Sequence, residues 1–404
     1  MKKTHSFLFA LLTAPLLVSG MASCSDDDKN EPLPDLPNET VYTGKTLHLE
    51  YEDALMAGKS VRLSRKGNSY VMDLYSTIDP GALMPSLSSL PTLSGPGVLP
   101  GSPLASIPVR LKADKDEYDF EGRSETDYCT FEYSGDIKGD ILDLEIDDVV
   151  LKNRRLADTA WKPAPLKPTA DGLAYSSSPI YINWTSSLPI QIGDIKADPG
   201  DILNLIATMP LIPVYNGTAK TSVAQLISES LKSIGFRNDG LVAVNYVSTV
   251  GGADRLASLP QNMIQYVVLN DNTLKAYPNP MDVYSMLLTA NSSRSVTLDG
   301  VLELMKNLLP MVAEGVPFQY DISHGALRVY LNTETLKPIV SGVLIPILTD
   351  PDILAQIQAA ITADPVLAKY GDAIKMMLSS LPQLIEKTTK MEIGLNLLPF
   401  LDKK

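Results

Sequence analysis

The residues with the most specific chemistry in this chain are its two cysteines, Cys24 and Cys129. Cys24 follows two small residues and, before them, an apolar run over residues 7–18; two lysines lie near the start of the chain. A basic start, a short apolar run and small residues are the three parts of a secretory signal. The run has twelve residues, fewer than the roughly 20 that a membrane-spanning helix needs. The signal therefore predicts that Cys24 begins the mature chain, with its thiol available for modification.

The junction Ala22-Ser23-Cys24 resembles the lipobox of bacterial lipoproteins, whose cysteine becomes the lipidated first residue. This resemblance implies a signal peptide over residues 1–23 and an acyl anchor at Cys24. The Asp, Asn, Glu and Pro residues that follow have little to bury, which predicts an acidic flexible tether over residues 24–40. The residues after the cysteine look like the surface-export signal of Bacteroidota-type lipoproteins: Ser25, Asp26, Asp27 and Asp28. Together they imply a protein anchored in the outer membrane and exposed on the cell surface. The alternatives are cleavage with an unmodified cysteine and a charge run that is only a solvated tether.

Cys129 alternates with Phe131 and Tyr133, which places it on the apolar face of a predicted strand. If Cys24 carries lipid, no second thiol remains to form an intramolecular disulfide. We therefore predict that Cys129 is a buried small hydrophobic residue.

The sequence lacks the motifs of the common enzyme classes. It contains no G-x-S-x-G, P-loop, H-E-x-x-H or C-x-x-C pattern. His48 falls on the outward face of a predicted strand and His324 in a turn, so neither is expected to be catalytic. We predict no cofactor, no metal site and no catalytic residue. A carboxylate pair like that of a glycosidase stays open, because 47 acidic residues allow many pairs.

Six acidic residues concentrate between residues 136 and 148, and two interpretations compete for them. They are Asp136, Asp140, Asp143, Glu145, Asp147 and Asp148. Calcium needs oxygens that converge from a loop, whereas alternate residues of a strand point outward in a row. We therefore expect a solvated face. The net charge of −13, without a basic cluster, also argues against nucleic-acid binding.

Four aromatic residues close together in sequence are candidates for ligand binding. They are Trp161, Tyr175, Tyr181 and Trp184. Such rings can form a stacking surface, but tryptophan is as often a core residue. Trp184 shares an alternating face with two isoleucines, which favours the core interpretation at that position.

The periodicity of the chain predicts an α+β protein with two domains. Residues 41–155 alternate apolar and polar residues over several runs, which predicts an antiparallel β barrel or sandwich. A Pro/Leu loop, residues 79–108, interrupts them and is expected to pack as an ordered flap. Residues 156–404 predict an antiparallel sheet with several inserted helices, one of them over residues 223–234.

Dispersed positions give a further resemblance. Three segments share a tyrosine, a Gly or Asn turn and a following leucine: Tyr133…Gly139…Leu142, Tyr266…Asn272…Leu274 and Tyr320…Gly325…Leu327. With Leu156…Thr159…Trp161, these resemble the lipocalin-like domains of Bacteroides-type surface lipoproteins. That family implies a lipocalin-like fold and a location, and it supplies no active-site residue.

Three functions follow from these observations. The first is a non-enzymatic binding module for an apolar ligand, a lipid or a glycan, held at the membrane by its N-terminal lipid. The second is an accessory subunit beside an outer-membrane protein partner. The third is a hydrolase with a carboxylate pair. The sequence favours the first.

Overall fold

The structure is a computed structural model. It describes residues 36–83, 88–89, 91–114, 116–170, 175–192, 195–210, 212–213, 220–250, 253–280, 282, 309–341, 355, 358–359, 362, 368 and 371–400. Cys24 and the acidic residues that follow it lie outside the described residues, so the predicted signal peptide, anchor and export signal stay predictions.

The first half of the described chain is almost entirely β-structure. Its strands are β1 Glu39–Thr43, β2 Leu47–Tyr51, β3 Ala54–Leu55, β4 Ser60–Lys66, β5 Ser69–Tyr75, β6 Thr77–Ile78, β7 Leu93–Ser94, β8 Leu104–Val109, β9 Lys112–Asp114, β10 Glu117–Glu125, β11 Cys129–Lys138 and β12 Ile141–Leu151. A short 3-10 helix, Gly44–Thr46, and one helical turn, α1 Pro80–Leu83, complete it.

These strands form two main sheets that pack face to face. One has the order β1-β4-β5-β8 and is antiparallel; the other has the order β3-β2-β12-β11-β10-β9 and contains one parallel pair, β2 with β12. Inward residues of both sheets, such as Leu63 and Leu144, belong to one core cluster. The described strands form a sandwich and no closed barrel.

A β-bulge in β12 keeps its apolar residues inside. Leu142, Leu144 and Ile146 alternate inward, and the acidic residues between them point outward, as the alternation predicts. The register shifts between Thr130 and Glu132, so that Asp148, with φ +48°, and Val149 lie opposite the single residue Phe131. A bulge adds one residue and reverses which face the following residues take, so Val149 is buried instead of exposed.

The Pro/Leu loop is packed into the molecule where it is described. Residues 95–100 are buried. The side-chain amide of Gln265 donates a 2.8 Å hydrogen bond to the carbonyl oxygen of Val98. Gly97 is required at its position, because a Cβ there would lie 1.7 Å from the carbonyl oxygen of Ser102.

The second half contains one large sheet with helices packed against it. Its strands are β13 Thr159–Pro163, β14 Lys167–Pro168, β15 Tyr175–Ser177, β16 Ile180–Ser186, β17 Ile190–Ile192, β18 Ile195–Ala197, β19 Ile212–Pro213, β20 Lys220–Thr221, β21 Leu231–Phe236, β22 Val242–Val250, β23 Ala253–Ser258, β24 Ile264–Val268, β25 Thr273–Pro278, β26 Val316–Ser323, β27 Ala326–Leu331 and β28 Thr388–Pro399. The helices of this half that lie within the described residues are α2 Pro199–Thr208, α3 Val223–Ser230, α4 Thr333–Ile339, α5 Gly371–Ser379 and α6 Leu381–Glu386.

The large sheet is antiparallel and has the order β23-β22-β21-β13-β28-β27-β26-β25-β24, with β16 also paired to β28. Together with the two N-terminal sheets, this arrangement confirms the predicted α+β class. The helix predicted over 223–234 ends at Ser230, because β21 begins at Leu231 and pairs with β13 and β22. Long-range strand pairing here overrides local helical periodicity.

The main core runs across the predicted domain boundary at residue 155/156. It joins residues such as Tyr51 and Phe131 to Trp161 and Tyr266. The hydroxyl of Tyr51 donates a hydrogen bond to the backbone carbonyl of Asp239. Two domains with that boundary remain a prediction. A second, smaller cluster surrounds Trp184 under the helices.

Candidate ligand-binding face

Three neighbouring strands, β16, β28 and β27, place a group of polar and aromatic side chains on one face of the large sheet. The register sets Tyr181 opposite Gly394 and Gly394 opposite Tyr330. Successive side chains of a strand point to opposite faces. The alternate positions, Trp184 and Met391 among them, face the second core cluster. We call the other side the Tyr–Arg face: Tyr181, Asn183, Arg328, Tyr330, Lys390 and Glu392.

Gly394 allows the two tyrosine rings of the Tyr–Arg face to meet. A Cβ at this glycine would lie 2.0 Å from the carbonyl oxygen of Val329 and 2.6 Å from the Cβ of Tyr330. Without a side chain between them, the rings of Tyr181 and Tyr330 approach with centroids 5.4 Å apart at 66°. This edge-to-face contact is a favourable aromatic arrangement.

Glu392 organises the polar part of the face. One of its carboxylate oxygens, Oε2, accepts hydrogen bonds from the hydroxyl of Tyr181 and, at 3.1 Å, from the amide of Asn183. The ammonium group of Lys390 lies 3.1 Å from the same oxygen. The Glu392 side chain is only 12% exposed. The donors therefore compensate its charge and hold Tyr181 and Asn183 in place.

Arg328 lies over the ring of Tyr181. Its Cζ atom is 4.1 Å from the ring centroid, within range of a cation–π interaction. Its Nε atom donates a 3.2 Å hydrogen bond to Oδ1 of Asn396. Among the residues that the structure describes, its two Nη atoms form no hydrogen bond and no ion pair.

Both tyrosines stay protonated at neutral pH. Burial, and then the hydrogen bond to Glu392, raise the pKa of Tyr181. Burial, and then the charge of Glu392, raise the pKa of Tyr330. The hydrogen bond to Glu392 raises the pKa of Lys390, which keeps it cationic. The face thus presents aromatic rings, hydroxyls, an amide and a guanidinium, which suit a ligand with a flat apolar side and polar edges.

The four aromatic residues predicted from sequence do not form one surface. Trp161 is 7% exposed in the main core, and Trp184 is 4% exposed under the helices. Their indole N–H groups donate to Thr159 at 2.8 Å and to Thr388 at 2.9 Å. Trp184 and Tyr181 are three positions apart on one strand, so they face opposite sides.

Tyr175 is exposed on the short β14–β15 hairpin. The described contacts do not connect it to the Tyr–Arg face. Of the predicted set, only Tyr181 belongs to that face.

The remaining members of the Tyr–Arg face were not predicted from the sequence. Polar residues alternate along Lys390-Met391-Glu392-Ile393-Gly394-Leu395-Asn396, a signal that predicts one solvated strand face. The pattern does not show that Arg328 and Tyr181 lie beside it, because they are far away in the chain.

A second polar surface lies on the outer side of β10, β11 and β12. We call it the acidic groove: Glu121, Arg123, Glu132 and Asp147 line an open groove of about 560 Å³. Arg123 forms an ion pair with Glu132. Burial, and then neighbouring carboxylates led by Glu145, raise the pKa of Asp147.

No group of three or more His, Cys, Asp or Glu side chains among the described residues has the arrangement of a metal site. No helix in that part of the chain is long and apolar enough to cross a membrane.

Comparison of the chain with protein-family models, with curated proteins and with solved structures finds no match in any of the three.

Proposed function

We propose that this chain is a lipid-anchored, non-enzymatic binding protein that holds a glycan on its Tyr–Arg face. The observation that carries the proposal is the half-buried Tyr181–Tyr330 ring pair, with centroids 5.4 Å apart, set beside fixed polar groups. A sugar ring has an apolar C–H side and a rim of hydroxyls. The tyrosine rings can stack on the C–H side, and the amide and the guanidinium can form hydrogen bonds with the hydroxyls.

A glycan fits this face better than the other ligands that the sequence left open. A lipid or another apolar ligand requires an apolar cavity. The aliphatic residues between Leu336 and Ile385 are the part of the sequence best suited to line one. Where they are described, their apolar side chains instead pack against Trp184 and Met391.

The anchoring part of the proposal rests on the N-terminal residues. We propose that Cys24 carries the lipid in the outer membrane and that Ser25, Asp26, Asp27 and Asp28 direct the chain to the cell surface. We also propose that the chain belongs with the Bacteroidota-type lipoproteins with lipocalin-like domains that it resembles.

The test is calorimetric titration of the full-length chain in detergent with neutral and uronate oligosaccharides, galactotriose and trigalacturonate. Tyr330→Ala should weaken binding about tenfold, because it removes a stacking ring. Tyr330→Phe is the matched control, because it keeps the ring and the hydroxyl has no hydrogen bond among the described contacts. If wild-type protein binds neither sugar, or if Tyr330→Ala binds as well as wild type, the proposal is wrong.

A second candidate function is hydrolysis at the acidic groove. The specific observation is that Asp147, with a raised pKa, shares the groove with Glu132, whose charge Arg123 compensates. A carboxyl group with a raised pKa that shares a groove with a second carboxylate is the acid and base pattern of glycosidases. Hydrolysis of p-nitrophenyl glycosides that Asp147→Asn abolishes and Asp119→Asn leaves intact would support it. No turnover by the wild-type chain would contradict it.

A further inference from the structure

Arg328 is fixed in position by two independent contacts. Its guanidinium lies against the ring of Tyr181, and its Nε atom binds Oδ1 of Asn396. The amide of Asn396 has one possible orientation, because its Nδ2 atom donates to the carbonyl oxygens of Ser178 at 3.1 Å and Ile180 at 3.2 Å. The oxygen must then point to Arg328. The guanidinium is therefore held before any ligand arrives, which lowers the entropic cost of binding.

The charge of Arg328 has no carboxylate partner among the described residues. Asp321 is its cross-strand neighbour, yet the two form no ion pair, and Asp321 instead accepts a 3.0 Å hydrogen bond from Ser323. The carboxylate of Glu392 is already bound by Tyr181, Asn183 and Lys390.

Most other arginines of this acidic chain are compensated. Five described arginines form ion pairs: Arg62 with Asp73, Arg123 with Glu132, Arg154 with Asp158, Arg155 with Asp271 and Arg237 with Asp239. Three further described arginines, Arg65, Arg110 and Arg255, form no ion pair but are exposed. Among the described residues, Arg328 is therefore the half-buried arginine whose charge has no carboxylate partner.

We propose that Arg328 selects ligands that carry a carboxylate, so that the glycan of the Tyr–Arg face is a uronate-containing saccharide. This inference rests on the proposed function. The planar fork of a guanidinium matches the two oxygens of a carboxylate. With Nε occupied by Asn396, the two Nη atoms form the fork. Tyr330 lies beside it on the same face and offers a ring for the rest of the sugar.

The experiment compares the same two probes, trigalacturonate and galactotriose, which differ in the carboxylates. Wild-type chain should bind trigalacturonate about tenfold more tightly, the gain expected of one charge-assisted bidentate contact. Arg328→Gln should lose that preference and bind the two sugars with equal affinity. Arg328→Lys should lose most of it too, because an ammonium group keeps the charge without the fork. Arg65→Gln, at an exposed arginine of β4, is the matched control and should change neither affinity.

The possible outcomes distinguish carboxylate selection by Arg328 from glycan binding by the Tyr–Arg face. Equal affinity of the wild type for both sugars would overturn carboxylate selection and leave glycan binding intact. Binding of neither sugar would overturn the proposed function itself. If inorganic phosphate displaces trigalacturonate at equal concentration, the site is a general oxyanion site and the carboxylate proposal is wrong. Retention of a preference by a folded Arg328→Gln chain, verified by its thermal unfolding, would also contradict it.

Discussion

The ammonium group of Lys59 donates a 2.7 Å hydrogen bond to the carbonyl oxygen of Pro96. A second bond, 2.9 Å long, reaches the carbonyl oxygen of Gly97. Lys59 is only 5% exposed, and burial lowers its pKa to about 8, partly offset by the charge of Asp282. These two hydrogen bonds connect the Pro/Leu loop to the residue that precedes β4.

The first prediction is that the contribution of Lys59 to stability rises with pH between about 8 and 10. Its pKa is about 8 in the folded chain and about 10.4 in an unfolded one. Between these values an unfolded Lys59 binds more protons than a folded one, so the contribution of Lys59 to the free energy of unfolding increases with pH, by about 2 kcal/mol. The buried thiol of Cys129, whose pKa burial raises, acts in the opposite direction and is present in both proteins compared below. Urea unfolding at several pH values measures it.

Lys59→Met is the comparison variant, because it keeps the length of the side chain without the charge. It should show a flatter pH profile over the same window, although it is less stable at pH 7 through the loss of two hydrogen bonds. The comparison stops near pH 10, because burial raises the pKa of Tyr277 to about 12. Above pH 10 an unfolded tyrosine loses its proton before the folded one does, so the free energy of unfolding then falls with pH. Parallel profiles for the two proteins would show that Lys59 is not responsible.

The second prediction concerns Gly394, at the centre of the Tyr–Arg face. Gly394→Ala should destabilise the chain by about 2 kcal/mol or more, because the new Cβ overlaps the backbone of β27. Gly235→Ala is the matched control on another strand of the same sheet, where the nearest atom to a Cβ is 3.7 Å away. Chemical unfolding of both variants is the measurement, and equal free energies would contradict the close packing at Gly394.

The third prediction is that Glu392→Gln lowers the pKa of Tyr181. Glu392 raises that pKa through its hydrogen bond and its charge. Removing the charge should move the pKa part of the way down, since burial, the larger cause, remains. Titration of tyrosine ring carbons by NMR follows it. Glu386→Gln, at an exposed acid, should leave Tyr181 unchanged, and an identical Tyr181 titration in both variants would contradict the network.

The fourth prediction concerns the anchor. Cys24→Ala should abolish acylation and release the chain from the membrane fraction, because no other thiol occupies the lipobox-like junction. Metabolic labelling with a fatty acid and cell fractionation measure both effects. Unchanged retention in the membrane would disprove lipid anchoring through Cys24.

The fifth prediction separates anchoring from export. Replacing Asp26, Asp27 and Asp28 with Ala should preserve acylation and reduce cleavage of the chain by protease added to whole cells. Replacing the same residues with Glu is the control, because it keeps the charge. Equal protease accessibility of the alanine variant and wild type would mean that the acids are only a tether.

The alternation of residues predicted the strands well, because each strand has one buried face. In β12, Leu142, Leu144 and Ile146 are buried and the acids between them point outward. Cys129 is also buried, as expected, at 0% exposure. The bulge at Asp148 was not predicted, since it depends on the partner strand.

Local sequence by itself determined the β-rich α+β class, the strand faces and a predicted secretory signal at Cys24. These depend on residues close together in the chain. Only the tertiary structure decided that Tyr181, Arg328, Tyr330 and Glu392 share a face. That face depends on the register of β16 and β27 against β28. A shift of one residue would turn every side chain of a strand to the other side, and periodicity within a strand carries no information about its partner.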